Sequence, residues 1–528
     1  MTTRPPVLLQ RLVTAWRDLA ATRSRNAKRD IIAGVLTGTG SDDIEVVVSY
    51  LSGALRQRRT GIGWRTLQQL PEPATEPSLT VAEVDAELDG IADLAGPGSA
   101  GRRAERVAAL FARATAGEQE LLRGLIFGEL RQGALESAVQ DGLATAFEVP
   151  RSAVARAAML LGSTTAAARA VVAGGQQALD AVSLQVGVAV QPMLAASAPD
   201  TDAAVQKAGL PVIVDAKLDG IRVQIHKDGP RVSIYTRSLD EITERLPEVV
   251  ATVAALPYRQ LVLDGEALAL RPDGSPEAFQ LIASSAATRG PGRTGTPDPT
   301  GGRLPLQASI FDLLRVDDRD LLDEPLRQRA AAMAELLPAE LLVPRLRADS
   351  AEQVADFFAD VVARGFEGVV IKNPASPYAA GRRDAGWIKV KPRHTFDLVI
   401  TAAEWGHGRR RGWLSNLHLA ARDDRTGELI MLGKTFKGLT DEMLAWQTER
   451  FLELEVERSP GVVRVRPELV AEIACDGLQT SPRYPGGVAL RFARVLRYRT
   501  DKTAAEADTI DTVKRLLPTA VPTDPSGL

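Results

Sequence analysis

The spacing of apolar residues changes character once along the chain, and that change limits the architecture more than any single motif. Up to about Leu184, apolar residues recur at every third or fourth position among abundant Ala, Leu and Arg, which is the period of an amphipathic helix. From Pro211 onward, the strings PVIVDAKLDG, IRVQIHKDG and RVSIYTRS alternate apolar with polar residues, which is the period of a strand. Asp-Gly pairs at Asp219-Gly220 and Asp228-Gly229 separate these strings, so the reading is an antiparallel meander.

Two helix starts are written into the first segment. Thr80-x-x-Glu83 and Thr115-x-x-Glu118 each place a hydroxyl three residues before an acid, the pattern that satisfies orphan amides at a helix N-terminus. GPGSAG at Gly96 to Gly101 reads as a break between helices. After the first strands come QLVLDGEALAL, LQASIFDLL, EGVVIK and WIKVKP, with the helical string SAEQVADFFADVVARG among them, so this part is expected to be a mixed α+β domain. The segment TRGPGRTGTPDPTGGR interrupts it and reads as a mobile surface loop. Beyond Pro392, FDLVITAAEW, WLSNLHLAARD, ELIMLGKTFKG, VVRVRPELVAEIA and LRFARVLRYR predict a small all-β barrel of OB type. The expected divisions are residues 1–184, 185–392 and 393–515, with 516–528 a disordered tail.

Composition excludes more than it identifies. Lys and Arg (64) nearly balance Asp and Glu (67), so any surface for nucleic acid must be local rather than global. A single cysteine, Cys475, allows no internal disulfide and no CxxC zinc site, which fits a reducing cytoplasm. VLLQRLVTAWRDLAA is interrupted by Arg11, Arg17 and Asp18 and reads as an amphipathic helix, not a signal or membrane span. The four histidines, His226, His394, His407 and His418, have no metal-ligand spacing and receive no catalytic role.

The sharpest local string is AKLDGIR, Ala216 to Arg222, placed where a strand ends and a turn leads into the next. Lys-x-Asp-Gly by itself would occur by accident in roughly one chain in ten of this length, and its bland reading is a hairpin with an exposed lysine. Arg222 at its fixed offset reduces that chance. The strings that follow reduce it further: YTRSL around Arg237, LDGEAL around Glu266, IFDLL around Phe311, EGVVIK around Glu367, and WIKVKP around Lys389 and Lys391.

In order and spacing this series, with the C-terminal LRFARVLRYRTDK, resembles the ATP-dependent DNA ligases, and most of all the actinobacterial type of about this length. The resemblance covers nearly the whole chain. It includes GELRQGA (Gly128 to Ala134), similar to part of the family's DNA-binding domain, and QPMLA (Gln191 to Ala195), which precedes the transferase domain. It implies an all-α DNA-binding domain, an α+β nucleotidyltransferase (adenylation) domain with antiparallel sheets, and an all-β OB-fold domain. It implies ATP and Mg²⁺ as cofactors and nicked double-stranded DNA as partner, for a monomer in the bacterial cytoplasm, at the nucleoid and away from membranes. Lys217 is then the nucleophile that carries AMP, and Phe311 stacks on adenine. Asp215 stands where the family often has Glu beside the adenine amino group, a shorter acid. Glu266 lies near the ribose, and Glu266 with Glu367 holds the metal. Arg222, Arg237 and Arg383 contact phosphate or ribose, Lys389 and Lys391 hold phosphate, and Arg491 with Lys502 orients the pyrophosphate.

Physical chemistry supports the same positions. A lysine amine attacks phosphorus only when neutral, and an ordinary lysine is neutral roughly once in a few thousand at pH 7, so such a site must favour the uncharged form. Ile388 and Val390 alternate with Lys389 and Lys391, which puts both amines on one face of a strand. Hard carboxylate oxygens suit Mg²⁺, and guanidinium forks match phosphate oxygens. GHGRRRGW (Gly406 to Trp413) and GKTFKG (Gly433 to Gly438) suit backbone phosphates. An RNA ligase or a capping-type nucleotidyltransferase would share the lysine string, but the long helical segment argues against both. The missing cysteine cluster disfavours an NAD-dependent ligase. A catalytically silent DNA clamp would have no need of the full set Lys217, Glu266, Glu367, Lys389 and Lys391.

Overall fold

A computed structural model describes residues 5–57, 59–130, 136–287, 304–379 and 386–516. The insertion at 288–303, the end of the chain from 517, part of GELRQGA and Arg383 lie outside the described residues. Two compact units form: Met1–Ala196 with Lys207–Ser350 and Val370–Ile388, and Ser197–Gln206 with Ala351–Val369 and Lys389–Leu528.

The first segment is helical, as its periodicity requires. Nine α-helices occupy it among the described residues, from Leu9–Ala21 to Thr164–Asp180. Both expected capping boxes are present. The Glu83 amide donates to Thr80 Oγ1 at 3.2 Å and the Thr80 amide to Glu83 Oε2 at 2.9 Å, and Thr115 with Glu118 repeats the exchange. Replacing either threonine by Ala would cost about 1 kcal/mol. At the expected break Gly96 and Gly98 turn with φ of 78° and 74°, and the next helix starts at Ser99. Packing does not stop at Leu184: Met159, Leu160, Leu184 and Val190 share a core with Val262, Leu314, Tyr378 and Trp387.

Among the described residues ten strands follow: β1 (Ala196–Ser197), β2 (Val212–Lys217), β3 (Ile221–Asp228), β4 (Arg231–Thr236), β5 (Gln260–Leu268), β6 (Gln307–Val316), β7 (Arg319–Asp320), β8 (Arg345–Ala348), β9 (Gly368–Lys372) and β10 (Trp387–Val390). They build two five-stranded sheets, in the orders β1-β10-β9-β2-β8 and β4-β3-β5-β6-β7. The expected three-strand meander is therefore corrected. Of its three strands, β3 and β4 alone form a hairpin, through Asp228 and Gly229 (φ 57°). β2 pairs with β8 and β3 pairs with β5, so Asp219-Gly220 is a corner between sheets. Glycine is needed at that corner, because a Cβ on Gly220 would lie 2.5 Å from the Ala267 carbonyl oxygen and 2.9 Å from Glu266 Cγ.

The second unit contains the helix Ala351–Ala363, expected from SAEQVADFFADVVARG, and a barrel. Its strands are β11 (His394–Trp405), β12 (Leu414–Arg422), β13 (Leu429–Thr435), β14 (Glu455–Ser459), β15 (Val462–Val465), β16 (Val470–Cys475), β17 (Gly477–Thr480), β18 (Val488–Arg491) and β19 (Arg494–Tyr498). The long β11 pairs with β12, β15 and β16, β12 pairs with β13, and β16 pairs with β19. The ring β13-β12-β11-β16-β19 is closed where the Val495 amide donates to the Lys437 carbonyl at 3.0 Å and Thr435 Oγ1 to the Ala493 carbonyl at 2.5 Å. Two sequence strings divide in ways the alternation did not show. VVRVRPELVAEIA breaks at Pro467 into β15 and β16, and LRFARVLRYR breaks at Phe492 (φ 55°) into β18 and β19. The helix Asp441–Glu453, capped by Thr440, was also not read from the sequence. Its Leu444 and Phe451 enter the barrel core with Leu398, Leu417 and Ile473.

Candidate active site

Lys217 is the last residue of β2, half-buried, and its Nζ donates to the Leu218 carbonyl at 3.3 Å. Two residues earlier on the same face, Asp215 is buried and fully engaged. Arg345 grips both of its oxygens (2.6 and 2.8 Å), and Lys372 Nζ lies 2.6 Å from Oδ2. Burial alone would push this carboxyl up. The charges of Arg345 and Lys372 outweigh it and hold Asp215 below the usual carboxylate range.

Across the corner, β3 and β5 set Arg222 directly opposite Glu266. Glu266 is the third residue from the end of β5, and its Oε1 accepts the Gly220 amide at 2.9 Å, so the glycine of the Lys-x-Asp-Gly string and this glutamate lock the corner together. Gly265 beside it is required by close approach, since a Cβ there would meet the Ser309 carbonyl at 2.7 Å. Arg222 is fixed from two sides. It donates to Asp264 through Nε and Nη2 (3.1 and 2.7 Å) and to the Met193 carbonyl through Nη1 (2.8 Å). Tyr378 completes the clamp, its hydroxyl donating to Asp264 Oδ2 at 2.7 Å and accepting the Met193 amide at 3.1 Å. Burial opposes the charge on Arg222, but Asp264 overcomes it and keeps the guanidinium protonated well above the ordinary range.

Phe311 is half-buried on β6 and meets Trp387 edge-on at 5.8 Å. Arg222 Cζ lies 5.5 Å and Lys372 Nζ 4.9 Å from its ring centre, an arrangement in which cations sit over an aromatic face. Arg237 is exposed and joins Arg222 in lining an open hollow of about 400 Å³ with Ile221, Thr236 and Ser238. The first unit thus gathers Asp215, Lys217, Arg222, Arg237, Glu266 and Phe311 around the β2–β3 corner. Asp264, Lys372, Tyr378 and Trp387 belong to the same constellation and were not singled out from sequence. Lys372 ends the EGVVIK string and Trp387 opens WIKVKP, so a reading of whole strings would have found both.

The remaining expected residues belong to the second unit. Ile388 and Val390 are buried while Lys389 and Lys391 are half-buried, as the alternation predicts. Lys391 forms ion pairs with Glu367 and, at 3.2 Å, with Asp476. Burial works against this ammonium, but the hydrogen bond to Glu367 outweighs it and raises its pKa. Gly368, after Glu367, has φ 135°, and a Cβ there would lie 2.2 Å from the Val390 carbonyl, which explains the Glu-Gly pair. Lys391, Lys437 and Arg491 all stand within 6 Å of the Phe492 ring centre, at 5.8, 5.4 and 5.9 Å. Lys502 lies apart from that group, paired with Asp397 at 2.6 Å, and Asp397 also holds Arg499 at 2.7 Å. The GHGRRRGW loop lines a hollow of about 590 Å³ with Trp405, Gly406, His407 and Arg411.

Fold and site together define a nucleotidyltransferase of the α+β kind, preceded by a helical region and followed by a β-barrel. The description "ATP dependent DNA ligase domain" matches residues 192–391, "DNA ligase N terminus" residues 65–144, and "ATP dependent DNA ligase C terminal region" residues 410–502. A probable DNA ligase of Beutenbergia cavernae is 57% identical over 97% of this chain and 99% of its own length. One from Nocardioides sp. is 56% identical over 97% and 99%. A solved structure described as Pmar-Lig_PreS3 shares the fold, with a TM-score of 0.61 at 19% identity, over 92% of this chain and 99% of that one. The chain belongs to the family of ATP-dependent DNA ligases. No helix among the described residues is long and apolar enough to cross a membrane.

Proposed function

We propose that this ligase seals nicks in duplex DNA through three phosphoryl transfers centred on Lys217. In the first, Lys217 Nζ bonds to the α-phosphorus of ATP as the bond to pyrophosphate breaks. In the second, AMP passes from the lysine to the 5′-phosphate of a nick. In the third, the 3′-hydroxyl displaces AMP and the phosphodiester closes. Such steps ask for positioning and charge stabilisation more than for acid or base groups. The observation that carries this reading is the clamped cation Arg222, set opposite Glu266 and beside the half-buried Phe311 at the corner where Lys217 ends its strand.

In this reading Phe311 supports the adenine, Glu266 the ribose, and Arg222, Arg237 and Arg383 the ribose and phosphates. Asp215 is committed to Arg345 and Lys372, so its part is to fix those two cations behind the base rather than to reach it directly. Lys389 and Lys391 hold phosphate charge, and Arg491 and Lys502 orient pyrophosphate once Lys502 is released from Asp397. Mg²⁺ bound through one or two carboxylates, water and substrate phosphate needs no cage of protein ligands. Among the described residues no cluster of three or more His, Cys, Asp and Glu is present, while Glu266 and Glu367 supply hard oxygen donors of the right kind. When bound, the ion neutralises phosphate charge. The proposed working state is a monomer, divided near 184 and 392 and acting at the bacterial nucleoid.

The test is sealing of a singly nicked duplex. ATP should support it and GTP should not, and a nick flanked by RNA should remain open. Sealing of RNA, or use of GTP, would favour the RNA ligase or capping reading.

A further inference from the structure

Away from the β2–β3 corner, the first unit holds a second hollow of about 590 Å³. Leu210, Pro211 and Ile213 give it an apolar wall, and Arg327, Arg345 and Arg347 also line it. None of Lys217, Glu266, Phe311 or Trp387 lines it, and neither does any Asp or Glu among the described residues.

Sheet register explains how it forms. β2 and β8 pair Ile213 with Arg347 and Asp215 with Arg345, so both pairs stand on one face, a two-residue step apart. Ile213 is four residues before Lys217, roughly 13 Å back along the strand. Arg345 is common to both places: it grips Asp215 and also lines the hollow, and its buried Nη1 has no hydrogen-bond partner among the described residues. Arg327 and Arg347 are exposed and make no ion pair among the described residues. Arginine side chains left without carboxylates around a concave, apolar-walled space are suited to a planar or aliphatic body carrying an anionic group. Its volume lies within the range of small-molecule sites, with room for a mononucleotide. A duplex backbone, in contrast, is met by rows of cations along a surface rather than by a few arginines around one concave, apolar-walled hollow.

We propose that this hollow is a second ligand site, for a nucleoside monophosphate, whose phosphate meets Arg327 and Arg347 and whose base lies against Leu210, Pro211 and Ile213. Through Arg345 its occupant bears on Asp215, and so on the strand that ends at Lys217.

The test uses AMP and the full chain. Calorimetric titration of the wild type should show two AMP sites, and the double variant Arg327→Gln/Arg347→Gln should keep one. The second site should weaken by at least about tenfold, as expected for losing charge-assisted contacts to phosphate. Labelling of the protein by ATP should be unchanged in the variant, which also shows that it is folded. An azido-AMP crosslink should map to peptides holding residues 208–213 or 373–375 in addition to the corner. Equal stoichiometry in both proteins, or a crosslink confined to peptides around Lys217 and Phe311, would overturn the proposal. So would a variant that binds AMP normally but loses affinity for nicked duplex, because the arginines would then belong to DNA.

Discussion

Arg222 and Asp264 face each other as a fork, Nε to Oδ1 at 3.1 Å and Nη2 to Oδ2 at 2.7 Å, with the Asp264 side chain only 1% exposed. Asp264→Asn would keep the shape and leave a buried cation without its counter-charge. Breaking such a pair costs about 3–5 kcal/mol. The expected outcome is a lower denaturant midpoint together with a large loss of ATP labelling. Tyr378→Phe, which removes one bond to the same carboxylate, should show both effects in milder form. Wild-type midpoints in both variants would show that the clamp is dispensable.

The corner glycine gives a more local prediction. Gly220→Ala pushes a methyl group toward the Ala267 carbonyl and Glu266 Cγ, so it should displace Glu266 and the lysine turn with it. Displacements near 1 Å at a reacting group cost on the order of a hundredfold in rate. Single-turnover labelling with ATP should fall by about that factor while the circular dichroism spectrum stays native.

Stability should depend on pH through His226. Burial lowers its pKa to about 4, and its Nδ1 accepts the Gly187 amide at 2.9 Å, which requires that nitrogen to be unprotonated. An unfolded histidine titrates near 6.5, so between these values the unfolded chain binds more protons than the folded one. The stabilising difference is complete above about pH 6.5 and is lost as pH falls toward 4, by at most about 3 kcal/mol. Urea midpoints measured from pH 7 to 4 should fall more steeply for the wild type than for His226→Gln. Parallel curves would count against the assignment.

Affinity for nicked duplex should fall steeply with salt, because phosphate contacts release counterions. The loop around the hollow at Trp405 to Gly412 is the place to look. Replacing Arg409 and Arg411 by Gln should weaken binding to all sequences alike and flatten the slope of affinity against salt by about two ions. An unchanged slope would remove this loop from the DNA surface.

What the sequence made legible follows from how local each signal is. Helix caps such as Thr80 with Glu83 and alternations such as Ile388 to Lys391 are settled within a few residues, and they appear as read. The meander failed because alternation says which way a side chain faces but not which strand lies next to it. It is pairing with β8 and β9, both far along the chain, that puts β2 in a different sheet from β3. The site shows the same division. Lys217, Glu266 and Phe311, the residues proposed to carry the chemistry, stand in short strings, whereas Asp264, Tyr378 and the Met193 carbonyl matter only because folding brings them to Arg222.

The most direct test of the account is the intact mass of the full chain after incubation with ATP and Mg²⁺. One added adenylyl group should appear on the wild type, map to the peptide containing Lys217 and be absent from Lys217→Ala. An adduct that persists in Lys217→Ala, or that maps to another lysine such as Lys372 or Lys389, would contradict it.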